Sequence, residues 1–230
     1  MKLKLYHHLL MDEPILPTVM PAPLVYVFAG NGVFLWAKRE GLEVLIPVQP
    51  CPIRDLFPVE PFVRLDGLPR VASRLLVVML VTGSWAQRED GTPIETLFFA
   101  SLGENADWSL WRPPQQQAPM RVTPELSWLD RQDYAQVLME IHTHPLPNMA
   151  AFFSSIDDAD EQQGFRLYGV IGRIEREQGR IEAEIRLRVG VYGVFYEFPA
   201  SWVLDMPEGL REVLPHLDDV GTMQEGVPQA

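Results

Sequence analysis

The chain has 230 residues, of which 47% are hydrophobic and 22% are charged, so it is long enough for one or two domains with a sizeable core. Its formal net charge of −12 argues against a predominantly basic, nucleic-acid-binding surface. Cys51 is the only cysteine, which excludes an intramolecular disulfide and favours a reducing, cytoplasmic location. The longest apolar run, Leu75–Val81, is far shorter than the roughly 18 residues that cross a membrane, and the first residues lack the features of a signal peptide.

The N-terminal part of the sequence predicts a small β-meander. Residues 1–23 contain four prolines, and we expect them to form an extended, irregular lead-in. Three predicted strands follow: Leu24–Ala29, Val33–Lys38 and Leu42–Val48. The dipeptide Asn31-Gly32 supplies the positive φ that a tight hairpin turn requires. Residues 49–63 carry four more prolines, which is typical of a linker, so we place a domain boundary near residue 65.

The rest of the chain predicts a mixture of helix and strand. Residues 69–87 carry apolar side chains at helical spacing after a proline in the first turn, although Val77, Val78 and Val81 leave a buried strand as the alternative. Five further strands are expected: Ile94–Leu102, Trp108–Arg112, Val137–His142, Phe165–Ile174 and Arg180–Val189. The last of these alternates apolar and charged residues, as half-buried strands do, and residues 190–198 should continue the sheet.

Three segments between and after these elements have weaker patterns. Residues 112–119 are expected to form a loop, and a short helix is expected from Thr123 to Asp133 because Thr and Pro suit a helix start. A second short helix is expected near Leu210–Leu214, followed by a disordered acidic end. The sequence therefore predicts an α/β (α+β) protein with an N-terminal β-rich segment at 1–65, a main domain at 66–205 and a C-terminal tail at 206–230.

The chemically informative residues cluster between 142 and 157. His142 and His144 are two apart on a predicted strand, so their imidazoles point to the same face, and Pro145 ends that strand. Ser154 suits a helix N-cap, with Asp157 one turn inside. Two imidazoles and a carboxylate form the ligand set of a catalytic zinc, whose fourth position is left to water. Taken separately, the histidine pair could be structural and Ser154-x-x-Asp157 could be a plain capping box.

The combination His-x-His-Pro, an apolar segment and then Ser-x-x-Asp at a helix start resembles the signature of the JAMM (MPN+, Mov34/PAD-1) metalloproteases of prokaryotic type. The resemblance extends over residues 68–198 and implies a JAB/MPN, cytidine-deaminase-like core in which a mixed β-sheet is flanked by helices. It also implies one Zn²⁺ per chain, bound by His142, His144 and Asp157, and hydrolysis of an amide bond. The segment between His144 and Ser154 is slightly longer than in many members.

The resemblance implies a general base and an oxyanion donor as well. In the family the base is a glutamate upstream of the histidines, and Glu95, at the start of an apolar strand, occupies that place; an exposed glutamate is the alternative. Glu140 is the second candidate, either as base or as a partner that orients a histidine N–H. Ser154 corresponds to the residue that hydrogen-bonds the oxyanion or the water, and Ser155 is the neighbouring alternative.

Two positions depart from the family pattern. Members usually carry a small or apolar residue at the place of Glu140, and many carry glycine at the place of Phe98. We therefore expect Phe98 to narrow the substrate groove.

The resemblance also implies partners. Similar bacterial proteins, with a proline-rich β segment ahead of the JAB domain, are encoded beside an E1-like adenylating enzyme and a small ubiquitin-like protein. The expected function is a zinc isopeptidase or peptidase that acts at the C-terminal tail of a ubiquitin-like protein, without nucleic-acid or membrane partners. A non-catalytic MPN scaffold for a ubiquitin-like partner and a hydrolase of small amides are the alternatives.

Overall fold

The computed structural model describes residues 6–11, 16–103, 107–125, 134, 136–162 and 164–214. In these ranges the protein is a mixed α+β structure made mostly of strands, which confirms the coarse fold class predicted from the sequence. Two β-sheets account for most of the chain, and the candidate site lies on the second.

The first sheet has five strands in the order β1-β2-β3-β4-β5, with β1 parallel to β2 and all other pairs antiparallel. The strands are β1 (His7–Leu9), β2 (Leu24–Ala29), β3 (Gly32–Arg39), β4 (Leu42–Pro50) and β5 (Phe62–Leu65). The predicted meander is therefore confirmed. The sheet also gains one strand from the segment expected to be an irregular lead-in and one that begins within the expected linker, because both segments pair with strands already present.

The second sheet has the order β13-β12-β11-β10-β6-β7, with a short β14 beside β12. The strands are β6 (Thr96–Leu102), β7 (Trp108–Trp111), β10 (Val137–Thr143), β11 (Phe165–Glu177), β12 (Arg180–Val191), β13 (Val194–Phe198) and β14 (Leu210–Glu212). The neighbours β10 and β11 are parallel, so the chain needs a long crossover between them. The described residues 144–162 and 164 belong to that crossover, which carries part of the candidate site.

Two α-helices, a 3₁₀ turn at Ala200–Trp202 and a separate hairpin accompany the two sheets. Helix α1 (Ser73–Ser84) packs its buried face, which includes Leu76 and Met79, on the second sheet. The predicted helix is thus confirmed and is shorter at both ends. Helix α2 (Ser155–Asp160) lies within the crossover, and strands β8 (Gln115–Ala118) and β9 (Arg121–Pro124) form the hairpin. No helix in the described ranges has the length and apolarity needed to cross a bilayer.

Three of the weaker predictions are corrected. The expected loop at 112–119 contains β8, and Thr123, expected to begin a helix, lies in β9 opposite Gln116. Pairing within the hairpin satisfies backbone groups that a local helix start would have used; the remainder of that predicted helix lies outside the described residues. The helix expected near Leu210–Leu214 is instead strand β14, whose Leu210 is buried against β12. The expected acidic, disordered end lies outside the described residues.

One hydrophobic core joins the two sheets. Leu35 and Val44 of the first sheet belong to the same buried cluster as Met79 of α1 and Ile141 of β10. At the turn after β3, a side chain on Gly41 would overlap three leucines of the main core. The predicted boundary near residue 65 therefore coincides with the end of β5 but not with a break in the core.

Arg39, at the end of β3, fastens the first sheet to the second. Its Nη1 donates to the carbonyl oxygen of Phe165 at 2.7 Å and to that of Val137 at 3.4 Å. These carbonyls stand at the starts of β11 and β10. Through these bonds, Arg39 of the first sheet holds the starts of the two parallel strands β10 and β11.

Replacing Arg39 by Met should lower the free energy of unfolding by about 1–3 kcal/mol, because two carbonyl groups lose a charged donor in a partly buried place. Urea unfolding of both proteins measures the change. Arg70→Met is the control, because Arg70 is exposed and its ion pair with Asp205 is long, at 3.8 Å. This variant should change stability by less than about 0.5 kcal/mol. Equal losses in the two variants would show that Arg39 has no special role in joining the sheets.

Candidate metal centre

The histidine pair lies at the end of β10. His142 is a strand residue paired with Val170 and Leu97, and His144 follows the strand, held by a 2.8 Å bond from its backbone N–H to Ile171 O. Both side chains are buried, and their ring centroids are 5.5 Å apart. The alternation of strand side chains thus brings the two imidazoles to one face, as predicted.

Helix α2 presents the carboxylate. Ser154 is the N-cap, and its backbone N–H donates to Asp157 Oδ2 at 2.6 Å while its Oγ accepts from Asp157 N at 3.3 Å. This reciprocal capping box satisfies two helix-start donors and holds one oxygen of the carboxylate. The other oxygen, Oδ1, faces His142 Nε2 at 3.9 Å. The predicted capping box is therefore confirmed, and it coexists with an orientation of Asp157 toward the histidines.

The crossover loop orients His144. Its Nδ1 lies 2.6 Å from the carbonyl oxygen of Ala150, and because a carbonyl only accepts, Nδ1 must donate its hydrogen there. That tautomer leaves Nε2 with a lone pair, which is what a metal ligand needs. The Phe152 ring also packs beside His144, at 4.7 Å between centroids.

Both imidazoles are poised in the neutral form. Burial lowers the pKa of His142 to about 4, although the Asp157 carboxylate opposes the shift. Burial also lowers the pKa of His144, and the hydrogen bond to Ala150 opposes it. Neutral rings at pH 7 can donate lone pairs to a metal ion without first losing a proton.

The three side chains fit zinc by their chemistry, but they are not drawn together. In the described ranges, no group of three or more His, Cys, Asp or Glu residues is close enough to hold a metal ion as the side chains stand. Two ligand atoms on one tetrahedral zinc are about 3.4 Å apart, so the 3.9 Å between His142 and Asp157 exceeds that by about 0.5 Å. A small side-chain rotation covers this difference. Two neutral imidazoles and a carboxylate oxygen that accepts no hydrogen bond from the described residues fit a zinc ion.

Glu95 is a buried carboxylate without a partner in the described part of the chain. It immediately precedes β6 and is only 6% exposed, so the alternative of an exposed glutamate is wrong. Its backbone is held by the β8–β9 hairpin, through Ala118 O and the Gln117 side chain. Burial raises the pKa of its carboxyl to about 7, and the charge of Asp157 adds to the effect.

Glu140, the second candidate base, is already engaged. Arg166 Nη1 lies 2.7 Å from Glu140 Oε1, and the Tyr134 hydroxyl donates to the same oxygen at 3.0 Å. Burial raises the pKa of Glu140, while Arg166 and Tyr134 oppose that shift. Glu140 therefore pairs with Arg166 and Tyr134 and does not orient a histidine. This geometry favours Glu95 as the base.

A pocket of about 340 Å³ brings the candidate residues together. Its lining includes every residue assigned to the site from the sequence: Glu95, His142, His144, Ser154 and Asp157. Ser155, the alternative to Ser154, is not among the lining residues, and neither is Phe98. Phe98 is buried in the main core, so the expectation that it narrows the groove is wrong; strand alternation turns it to the face opposite Glu95 and Leu97.

Sequence reasoning missed the cationic side chains around the pocket. Arg166 and Arg188 are buried, and each pairs with carboxylates that line or flank the site. Asp158, in the first turn of α2, lies 2.6 Å from Arg188 Nη1. The regular alternation of β12 pointed to a solvated charged face, and only the position of α2 over that face reveals the contact.

Comparison with known protein families finds none that matches the chain. A search among curated proteins likewise finds no significant match. The JAMM resemblance therefore depends on the motif residues and their spacing.

Gly172 of β11 should be necessary for the orientation of His144. A Cβ there would overlap the backbone of Ala150 and Ala151, and Ala150 supplies the carbonyl that binds the His144 ring. We expect Gly172→Ala to cost about 1–3 kcal/mol in stability and to weaken zinc binding roughly tenfold. Chelator competition and thermal unfolding measure the two effects. Gly103→Ala, where the nearest atom is 3.3 Å away, is the milder control; unchanged zinc affinity in Gly172→Ala would contradict the assigned role of the loop.

Relative to wild type, Glu95→Gln should stabilise the metal-free protein more at pH 8 than at pH 5. The raised pKa means that between about 4.5 and 7 the folded state keeps a proton that the unfolded state has lost, so wild-type stability falls as pH rises. Glutamine removes this loss, and we expect a gain of about 1–2 kcal/mol at pH 8 that disappears at pH 4. Urea unfolding with chelator present measures it; a loss of stability at pH 8 would mean that Glu95 has a stabilising partner.

Proposed function

We propose that this protein is a JAMM-type zinc metallopeptidase that hydrolyses an amide bond at the C-terminal tail of a ubiquitin-like protein. One observation carries the proposal: Glu95, a buried carboxylate without a partner in the described ranges, lines the same pocket as His142, His144 and Asp157. Burial without a partner is destabilising, so a functional role accounts for the residue better than a structural one.

The three proposed ligands have separate means of orientation. His144 is set by Ala150, Asp157 by the capping box of α2, and His142 by its place in β10. A zinc ion bound by them would supply Lewis acidity and lower the pKa of a coordinated water.

Glu95 has the properties of the general base. A carboxyl whose pKa is about 7 can accept a proton from water near neutral pH and return it to the leaving amine. A general base should not itself be a metal ligand, and Glu95 is not one of the three proposed ligands, which all lie between residues 142 and 157. The strand β6 that follows it pairs with β10, which brings the base and the histidines to one pocket.

Ser154 is the proposed oxyanion donor. Its Oγ accepts the Asp157 backbone hydrogen, so its own O–H remains available to the pocket. A preorganised donor of this kind stabilises the developing negative charge of the substrate carbonyl by about 3–4 kcal/mol.

The proposed substrate is an extended tail. In the described ranges β8 and β9 pair only with each other, so the hairpin offers a backbone edge for β-augmentation beside the pocket. Met120, Val122 and Pro124 of this hairpin line the pocket. The arrangement of a proline-rich β segment ahead of a JAB-like domain resembles PRTRC system protein A. This resemblance supports a small ubiquitin-like protein as the source of the tail, with an E1-like adenylating enzyme as the other partner of the same system.

Zinc content tests the metal site. Elemental analysis should find about one zinc per chain in the wild type and almost none in His142→Ala, His144→Ala or Asp157→Ala. Asp160→Asn is the control. Asp160 lines the same pocket but is not a proposed ligand, and its carboxylate lies 3.7 Å from Arg121. Zinc retained in any of the three alanine variants would remove that residue from the ligand set. If the wild-type protein takes up no zinc, the metallopeptidase proposal is wrong, and the non-catalytic MPN scaffold becomes the favoured function.

Cleavage of a ubiquitin-like protein extended by a peptide at its C-terminus tests the activity. Glu95→Gln should keep zinc and lose about 10²–10⁴-fold in turnover, while Glu140→Gln should lose far less. The reverse order would assign the base to Glu140. Turnover of small acyl amides without cleavage of the protein tail would favour the small-amide hydrolase.

A further inference from the structure

We propose that Arg188 is a positioning residue, which fastens helix α2 to the second sheet and thereby holds Asp157 opposite His142. This inference rests on the proposed metal centre for its functional meaning. Arg188 touches none of the proposed ligands in the contacts of the described residues, so it acts through the helix.

The Arg188 guanidinium contacts two carboxylates of the α2 segment. Its Nη1 lies 2.6 Å from Asp158 Oδ1, and its Nε donates to Glu161 Oε2 at 2.8 Å. Asp158 stands in the first turn of the helix and Glu161 is its C-cap. The single cation therefore contacts the helix in its first turn and at its C-cap, at two positions three residues apart.

Two aromatic rings complete the contact. The Arg188 Cζ lies 4.0 Å from the centroid of Phe153 and 4.2 Å from that of Phe195. Phe153 immediately precedes the N-cap Ser154, so its contact with the guanidinium also fixes where the helix begins. A planar guanidinium can take aromatic and carboxylate partners together, which a lysine ammonium cannot do as well.

Among the described residues, the other polar attachments of α2 to its surroundings outside the proposed metal site are longer: Tyr168 Oη to Glu161 O at 3.5 Å and Arg121 to Asp160 at 3.7 Å. The helix has six residues, none of them buried, and so short a helix is unstable alone. The capping box sets its first turn but does not attach it to the sheet. By contrast, Arg188 belongs to β12, which pairs with both β11 and β13, and its side chain is only 5% exposed. The rigid partner of this contact is therefore the sheet, and the positioned partner is the helix.

Arg186 provides a matched control on the same strand. It lies two residues earlier and makes a two-pronged pair with Glu197 of β13, at 2.8 Å for both bonds. This pair stays within the sheet and does not reach α2. Arg186→Met and Arg188→Met thus remove the same kind of side chain from the same strand and both break carboxylate pairs, but only the second should affect the helix.

The experiment measures hydrogen exchange and zinc affinity in the full chain. In chelator-treated protein, Arg188→Met should speed exchange of the amides at 155–161 at least about tenfold, with β10 and β11 unchanged. Its zinc affinity, from chelator competition, should fall roughly 10–100-fold. Arg188→Lys should recover part of both effects, and Arg186→Met should show neither.

The inference is overturned if Arg188→Met leaves exchange at 155–161 and zinc affinity within about twofold of Arg186→Met. If Arg188→Met does not fold, Asp158→Ala combined with Glu161→Ala removes both carboxylate contacts from the helix side, and the same two measurements decide. A wild type that binds no zinc would refute the metal centre. In that case the exchange measurement still decides whether Arg188 fastens α2.

Discussion

The site depends on one hydrogen bond at the start of a six-residue helix. The backbone N–H of Ser154 binds one oxygen of Asp157, and this contact turns the other oxygen toward His142. A carboxylate that was free to rotate would lose entropy on meeting a metal ion, whereas here the cap has already fixed it. The same two residues thus stop the chain from fraying and present a ligand, so local structure and proposed chemistry cannot be varied independently.

The histidines are held by a different kind of constraint. His142 belongs to β10, and His144 directly follows it; this strand lies near the centre of the second sheet, between one parallel and one antiparallel neighbour. The first sheet reaches this strand through Arg39 and through the shared core, so residues far from the pocket help to set the strand's start. The rigid half of the site is therefore built by long-range packing and the adjustable half by a short crossover.

Sequence reasoning found what is encoded locally. The histidine spacing, the N-cap and the strand of Glu95 are patterns over a few residues, and each reappears in the structure. What it missed depends on pairing between distant segments. Thr123-Pro124 is a good helix start in isolation, but Gln115–Ala118 pairs with it, and Leu210 enters a strand because β12 has room beside it. Arg188 was equally hidden, since nothing in its neighbours in sequence shows that α2 will cover it.

The parallel pair of strands has a consequence for how this site can change. Antiparallel neighbours such as β11 and β12 are joined by a tight turn whose length is fixed by register, whereas a crossover between parallel neighbours tolerates insertions at small entropic cost. The crossover can therefore gain or lose residues ahead of Ser154 without disturbing β10 or β11. Two contacts must be kept: the hydrogen bond between His144 and Ala150, and the ion pair between Arg188 and the helix. In evolution or in engineering, the spacing between the second histidine and the serine is then the free variable, and the two anchoring contacts are the fixed points.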